Sequence, residues 1–212
     1  MMELAPGLQQ LQVAASESQL EQLRSYVAYL QKWNRAYNLT SIRSRPEIIV
    51  RHLLDSAAVL PHLPAADRLL DVGAGAGLPG LVIAILRPDL QVTLVDSVGK
   101  KALFMRHVQR QLALENVNIV EGRAEEMSAE TPWPLIISRA FAALGDFIRL
   151  TMPLLSADGS WLAMKGRLDT AEQQYLPKGV ELAAIQRLRV PGLDEERHLL
   201  VARHRNSGAA DA

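Results

Sequence analysis

The sequence predicts an α/β protein whose centre is an open, doubly wound and mostly parallel sheet. From Leu69 onward, short apolar runs of strand length alternate with helical segments, which is the pattern of a parallel sheet covered on both faces. A glycine-rich turn joins the first of these strands to its helix. We expect a helical extension over residues 1–66, the Rossmann-like sheet domain over 67–205 and a disordered tail over 206–212.

Two helices are predicted in the extension. The first carries apolar residues at helical spacing, namely Leu20, Leu23, Val27 and Leu30. The second begins near Pro46, because proline is tolerated in a first helical turn, and it ends at Pro61.

Two polar patches in the extension have simple structural interpretations. Asn38 and Thr40 follow the first helix, where such residues commonly cap helices and form turns. His52 and Asp55 stand three positions apart on the second helix, so they share one face and are expected to pair with each other. On this basis neither patch is assigned to a functional site.

The sheet domain contains five predicted strands and a final hairpin. The strands cover Leu69–Val72, Val92–Val95, Val117–Val120, Leu135–Ser138 and Ser160–Met164. The helices between them cover Leu78–Leu86, Gly99–Leu114 and Leu144–Leu155. Two further runs, Val180–Val190 and Leu199–Arg203, flank a Pro-Gly turn and predict an antiparallel pair at the end of the sheet.

The turn after the first strand predicts a nucleoside site. Gly73, Gly75 and Gly77 alternate between strand and helix, where glycine permits a tight turn and a close approach of the backbone to a ligand. Asp96 ends the second strand, a position from which an acid commonly bonds the two hydroxyls of a ribose. The ends of adjacent parallel strands meet at one edge, so these residues are expected to share a pocket.

The charge at this turn favours S-adenosylmethionine as the ligand. Residues 75–80 match the G-x-G-x-x-G fingerprint, so an oxidoreductase that binds NAD or FAD is an alternative. Asp71 precedes the glycines, and its carboxylate should repel a pyrophosphate and attract the ammonium and sulfonium of S-adenosylmethionine. A turn that binds nothing would leave both Asp71 and Asp96 unexplained.

The composition excludes several classes of site. The chain has 212 residues, of which 49% are hydrophobic, enough for one sizeable core. It has no cysteine, and its five histidines lack the spacing of a zinc site, so no metal is expected. No apolar stretch is long enough to span a bilayer, and we expect a cytoplasmic protein with no membrane partner. The formal net charge is zero, so any nucleic-acid site has to be local.

Basic residues are found where the strands are expected to end. The cations considered are Lys100 and Lys101 after the second strand, Arg123 after the third, Arg139 after the fourth and Lys165 after the fifth. Such a rim beside a nucleoside pocket suits a polyanionic substrate, and we predict RNA binding for Lys100, Lys101, Arg123 and Lys165. The alternative for Lys101, with Arg106 and Arg110 on the same helix, is an ordinary solvated face.

Taken together, the motifs resemble the RsmG (GidB) family of small-subunit ribosomal RNA guanine-N7 methyltransferases. The resemblance rests on LLDVGAGAGLPG, TLVDSVGKK, EGRAEE, ISRAFA and LAMKG, with YNLTSI and VRHLLDS ahead of them. It implies a class I S-adenosylmethionine-dependent methyltransferase fold. It also implies methylation of one guanine, family position 527 in the 530 loop of 16S rRNA, in free RNA or in the small ribosomal subunit.

The resemblance also implies roles for individual residues. Gly73 and Leu78 would touch the cofactor in the turn, Ala124 and Glu125 would hold its adenine end, and Arg139 would reach it from the fourth strand. Asp96 is the expected ribose ligand.

The predicted chemistry requires no general base. Guanine N7 carries a free lone pair, so alignment of N7, methyl carbon and sulfur suffices, and Arg139 or Lys165 could position the base. A methyltransferase acting on a small molecule or a protein remains the alternative, and an amine or hydroxyl substrate would need a proton acceptor.

Overall fold

A seven-stranded sheet forms the centre of the molecule. The structure is a computed structural model that describes residues 2–128, 130–139, 143–168 and 175–205, and the predicted tail at 206–212 lies outside them. The strands are β1 (Arg68–Val72), β2 (Gln91–Asp96), β3 (Val117–Glu121), β4 (Trp133–Ser138), β5 (Leu155–Lys165), β6 (Val180–Leu188) and β7 (Arg197–His204). Within the described residues their order is β3-β2-β1-β4-β5-β7-β6.

The pairing confirms a doubly wound sheet with an antiparallel end. β1 pairs in parallel with β2 and β4, β2 with β3, and β4 with β5. β7 runs antiparallel to both β5 and β6. The strand order reverses between β1 and β4, and such a switch point opens a crevice at the carboxyl edge of a sheet.

The helices differ from the prediction mainly in the extension. They are α1 (Leu4–Gln10), α2 (Glu17–Tyr37), α3 (Arg45–Ile48), α4 (Asp55–Ala57), α5 (Gly80–Leu86), α6 (Gly99–Gln111) and α7 (Leu144–Thr151). The helix α1 was not predicted. A π-helical segment, Ile49–Leu54, interrupts the helix expected after Pro46. Among the described residues, none of these helices combines the length and apolar character that a membrane crossing needs.

Two boundaries at the junction of α7 and β5 differ from the prediction. We expected a helix to Leu155, but α7 ends at Thr151, and Met152–Leu154 form a 3-10 turn. Pro153 accounts for the change, because it has no N–H to continue the α-helical hydrogen bonding. β5 then begins at Leu155, earlier than predicted.

The extension and one face of the sheet share an apolar core. Leu23 and Leu30 of α2 pack in the same buried cluster as Leu81 of α5 and Phe104 of α6. Each of these side chains is fully buried, so their removal from water contributes to holding α2 against α5 and α6. The extension therefore lies against the two helices that follow β1 and β2.

A buried hydrogen bond joins this extension to the glycine turn. The Tyr26 hydroxyl donates to the carbonyl oxygen of Ala76 over 2.9 Å, and Tyr26 is completely buried. A buried carbonyl needs a donor, because leaving it unpaired costs free energy. α2 thus fixes the backbone of the turn from beneath.

The opposite face of the sheet holds α7 by a buried polar relay. The Trp161 indole N–H donates to the Thr151 hydroxyl over 2.9 Å, and that hydroxyl donates to the Phe147 carbonyl over 2.7 Å. These groups lie among apolar side chains such as Leu144 and Ile148. The relay sets the position of α7 relative to β5.

We expect Tyr26→Phe to lower the free energy of unfolding by about 1 to 3 kcal/mol, because the buried Ala76 carbonyl loses its donor. Urea unfolding of the purified protein measures this loss. Tyr29→Phe is the control on the same helix, since the Tyr29 ring packs edge-on against His107 and is only half-buried. Equal stability of the two variants would show that the Tyr26 hydroxyl does not support the turn.

Candidate functional site

The glycine turn adopts the conformation that its composition predicts. Gly73, Gly75 and Gly77 have φ of 69°, 61° and 82°, in the left-handed region that side-chain-bearing residues rarely adopt. The N–H groups of Gly73 and Ala74 donate to the Val95 carbonyl over 2.9 and 3.1 Å. The chain therefore turns sharply at the carboxyl end of β1.

Asp96 holds this turn against the next one. Its Oδ2 accepts from the Gly75 N–H over 2.8 Å, and its Oδ1 accepts from the Val98 N–H over 2.9 Å. Lys101 Nζ lies 3.4 Å from Oδ2. Only 6% of Asp96 is exposed. Asp96 therefore links the loop after β1 to the loop after β2.

Asp71 lies beneath the turn rather than in the cavity above it. It is fully buried, and its Oδ2 accepts from the Gly80 N–H over 2.7 Å at the start of α5. Its Oδ1 has no hydrogen-bond partner among the described residues. Burial raises the pKa of this carboxyl to about 7, opposed by the Gly80 bond and by Arg139. A Cβ at position 80 would lie 2.7 Å from Oδ2, so glycine is required there.

A first cavity of about 790 Å³ opens above β1, β2 and β3. It brings together four of the predicted cofactor residues, namely Gly73, Asp96, Ala124 and Glu125. Its volume falls within the range of cofactor pockets. The other predicted residues of the turn, Gly75, Gly77 and Leu78, shape the backbone next to it.

The first cavity also contains two residues that we had predicted to bind RNA. Lys101 lines it beside Asp96, and Arg123 lines it with its Nη1 3.5 Å from Glu125 Oε1. Two residues of α7 that were not predicted, Asp146 and Arg149, also line the cavity and are 2.7 Å apart. Lys100 is exposed and does not line this cavity.

A second cavity, of about 320 Å³, opens above β4, β5 and the start of β7. Four cations line it, namely Arg51, Arg139, Lys165 and Arg197. Asp55 stands among them, with its Oδ1 3.1 Å from Arg197 Nε and its Oδ2 3.5 Å from Arg139 Nη1. Burial raises the pKa of Asp55, although both guanidinium groups oppose the shift.

His52 lines the same cavity as a neutral ring. Its Nδ1 lies 3.0 Å from the Arg51 carbonyl, which can only accept, so Nδ1 carries the proton. Its Nε2 accepts from the Thr40 hydroxyl over 2.8 Å. Burial lowers the pKa of His52 to about 4, with a contribution from the nearby Arg139 charge. Asn34 fixes Thr40 through two bonds of 2.9 Å to its backbone.

The predicted pairing of His52 with Asp55 is therefore wrong. The two side chains share a helical face, but Thr40 and the two arginines provide their partners instead. Arg197 is 142 positions from Asp55, and nothing local in the sequence indicates that contact. The capping role of Asn38 is confirmed, because Asn38 ends α2 in the left-handed conformation with φ of 47°. Thr40, expected to be only a turn residue, also fixes His52.

The two cavities lie side by side at the carboxyl edge of the sheet. β1 ends at the first cavity and the adjacent β4 ends at the second, so they lie on opposite sides of the switch point. A cofactor seated in the first cavity can therefore present its reactive end to a substrate in the second. Within the described residues, no group of three or more His, Cys, Asp or Glu side chains is placed to hold a metal ion.

Comparison with known proteins agrees with this geometry. The model of the GidB family, described as rRNA small subunit methyltransferase G, matches residues 19–200. The chain belongs to this family. A relative from Methylobacillus flagellatus named Ribosomal RNA small subunit methyltransferase G is 47% identical over 197 residues, which cover 93% of this chain and 95% of the relative.

Solved structures show the same fold at low sequence identity. TrmN from Thermus thermophilus has a TM-score of 0.57 at 18% identity, with 74% of this chain and 53% of that chain covered. The glycopeptide N-methyltransferase MtfA, complexed with S-adenosyl-L-homocysteine, has a TM-score of 0.58 at 10% identity, with 73% and 87% covered. The predicted class I methyltransferase fold is confirmed, and the GidB family membership supports S-adenosyl-L-methionine as the cofactor.

The pKa of Asp71 predicts a pH-dependent stability. The pKa of about 7 in the folded protein exceeds the ordinary aspartate value of about 4, so the folded state binds the proton more tightly than the unfolded state. Stability contributed by this group therefore falls as pH rises between the two values. We expect the wild type to lose roughly 1 kcal/mol per pH unit relative to Asp71→Asn between about pH 4.5 and 6.5.

Denaturant unfolding of both proteins across this range provides the measurement. Groups that titrate alike in the two proteins cancel in the difference. Asp89→Asn is the control, because Arg87 lowers the pKa of Asp89 and leaves it ionised throughout the window. A difference between wild type and Asp71→Asn that stays constant with pH would contradict the shifted titration of Asp71.

Proposed function

We propose that the protein transfers the methyl group of S-adenosylmethionine to N7 of one guanine in small-subunit ribosomal RNA, family position 527 in the 530 loop of 16S rRNA. The observation that carries this proposal is the cation-lined cavity directly beside the nucleoside-sized cavity. Membership of the rRNA small subunit methyltransferase G family supports the RNA substrate. A ribosomal substrate would place the protein in the cytoplasm, as we expected from the sequence.

The first cavity would hold the adenosine of the cofactor. Asp96 would accept a ribose hydroxyl through Oδ1, which makes one backbone bond and keeps a further acceptor position, whereas Oδ2 is contacted by both Gly75 and Lys101. Ala124 and Glu125 would flank the adenine from the loop after β3. Lys101 belongs with this group in our proposal, because its ammonium lies next to Asp96 rather than on the outer rim.

The methionyl end would cross the turn toward the second cavity. Asp71 would act through the turn, because a buried carboxylate with one free oxygen favours a positive charge nearby. The methionyl group would have to pass close to the backbone of the turn. The left-handed conformation of Gly75 and Gly77, with Leu78 after them, would allow this approach. Arg139, at the end of β4, would bind the opposite charge, the carboxylate of the cofactor.

The target guanine would enter the second cavity as an unstacked base. A loop nucleotide is cheaper to splay out than a paired one, and flipped bases are read by side chains that line a small pocket. Arg139 or Lys165 would align it there. N7 attacks through its own lone pair, so the site needs alignment and no proton acceptor.

Two acceptor side chains of the second cavity, His52 and Asp55, are held by protein contacts. His52 is neutral, but its Nε2 already accepts from Thr40. Asp55 is held by Arg139 and Arg197. Both groups are thus held by protein partners, and transfer to N7 requires neither of them to remove a proton.

We expect the product to be N7-methylguanosine in small-subunit RNA. Nuclease digestion and mass spectrometry of RNA labelled from S-adenosylmethionine locate the methyl group, and borohydride and aniline cleave the strand at the modified base. Single-turnover transfer should be nearly constant from roughly pH 6 to 9, because no essential base titrates. RNA and cofactor must both saturate, so that the titration of Asp71 does not act through binding.

Three outcomes would contradict the proposal. A methyl on N1, N2 or a ribose hydroxyl would exclude N7 chemistry. A tenfold rise in rate per pH unit would show that a base is required. Labelling that resists ribonuclease would indicate a protein or small-molecule substrate.

Lys100 and Lys101 form a matched pair that separates RNA binding from cofactor binding. We expect Lys100→Ala to weaken RNA binding and lower its salt slope by about 1, while leaving S-adenosylhomocysteine affinity unchanged, because Lys100 is exposed. Lys101→Ala should instead weaken S-adenosylhomocysteine, because it removes the cation beside Asp96. Filter binding at several salt concentrations and calorimetry measure the two affinities. The same response from both variants would contradict these separate roles.

A further inference from the structure

Asp55 is the one acidic side chain among the described residues that line the second cavity. It is 96% buried, since its exposed fraction is 4%. Its two oxygens each contact one guanidinium group, at 3.1 Å for Arg197 and 3.5 Å for Arg139. A carboxylate offers about four acceptor positions, so Asp55 retains acceptor capacity toward the cavity.

The surroundings of Asp55 leave its charge incompletely compensated. Burial raises its pKa even with two arginines beside it, so the pair contacts do not replace all the solvation that the carboxylate has lost. Arg197 is shared with a second acid, because its Nη2 lies 3.0 Å from Glu195 Oε2. An under-coordinated carboxylate that faces a cavity is stabilised by additional N–H donors from a ligand.

Guanine presents two such donors side by side. Its N1–H and its N2 amino group lie on the Watson–Crick edge, whereas adenine presents an acceptor at N1. Holding this edge leaves N7, on the opposite edge of the base, open to the methyl group. A flipped base is commonly read through its Watson–Crick edge.

We propose that Asp55 selects guanine, by accepting hydrogen bonds from N1–H and the N2 amino group of the flipped base. The inference rests on the proposed function and names the residue that determines its specificity. Arg139 and Arg197 hold the carboxylate in place, through contacts of 3.5 and 3.1 Å with its two oxygens. A substrate that lacks one of the donors leaves a buried acceptor unpaired, which reduces transfer strongly.

The test compares guanosine with inosine, which lacks the N2 amino group, at the target position of reconstituted small ribosomal subunits. We expect the wild type to prefer guanosine by about tenfold or more in kcat/KM, as loss of one hydrogen bond to a charged group predicts. In Asp55→Asn, transfer to guanosine should fall, and the preference over inosine should drop to near one. The changed ratio identifies a direct contact, because a residue that only supports the cavity would affect both substrates equally.

Glu195→Gln is the matched control. Glu195 also holds Arg197 and lies 2.6 Å from Arg51, but it does not line the cavity. Its loss should lower transfer to both substrates and preserve their ratio. Calorimetry with S-adenosylhomocysteine verifies that each variant is folded with an intact first cavity.

Several results would overturn the inference. Equal methylation of inosine and guanosine by the wild type would overturn it. That result needs no variant, so it holds even if Asp55→Asn fails to fold. An unchanged preference in Asp55→Asn would show that Asp55 only holds the arginines. Formation of N7-methylguanosine by the wild type is measured before guanosine and inosine are compared. If none formed, the proposed function itself would fail.

Discussion

The carboxylate of Asp96 is the contact on which the candidate site depends. It accepts from Gly75 and Val98, which lie in the loops after two adjacent strands, and it stands beside Lys101. Backbone groups at strand ends otherwise point in independent directions, and a single buried acceptor forces the two loops to share one geometry. This side chain, together with the bonds of Gly73 and Ala74 to the Val95 carbonyl, holds the floor of the first cavity, so its position is fixed before any cofactor arrives.

Because this floor is rigid, the two cavities on either side of the switch point suit different ligands. The first cavity is built from loops held by hydrogen bonds from backbone N–H groups to aspartate carboxylates, which suits a cofactor that is the same in every cycle. The second is built from long side chains joined by ion pairs across β4, β7 and the extension. Arg139 belongs to the second cavity and follows the strand next to β1, so it connects the two.

The residues of the first cavity could be predicted from the sequence more completely than those of the second. The glycine turn and Asp96 are local features, each tied to a strand end, and their conformations follow from residue type. The second cavity depends on contacts such as Asp55 with Arg197, which are 142 residues apart and carry no spacing signal. Lys100 and Lys101 look alike in sequence, but only the fold shows that Lys101 points to Asp96. The helix α1 lacks a long apolar period, so periodicity did not reveal it.

The neutral net charge has a physical consequence for a protein that would act on RNA. Many cations near the two cavities are paired with acids, as in Arg51 with Glu195 and Arg123 with Glu125. Exposed pairs of this kind contribute little stability, so a phosphate can replace the acid at small cost. Such a surface attracts arbitrary polyanions weakly, because each cation is already screened by its partner. Selectivity then arises where the cations surround a cavity of fixed shape. In that cavity the carboxylate of Asp55 is buried, so a phosphate cannot replace it as it can replace an exposed acid.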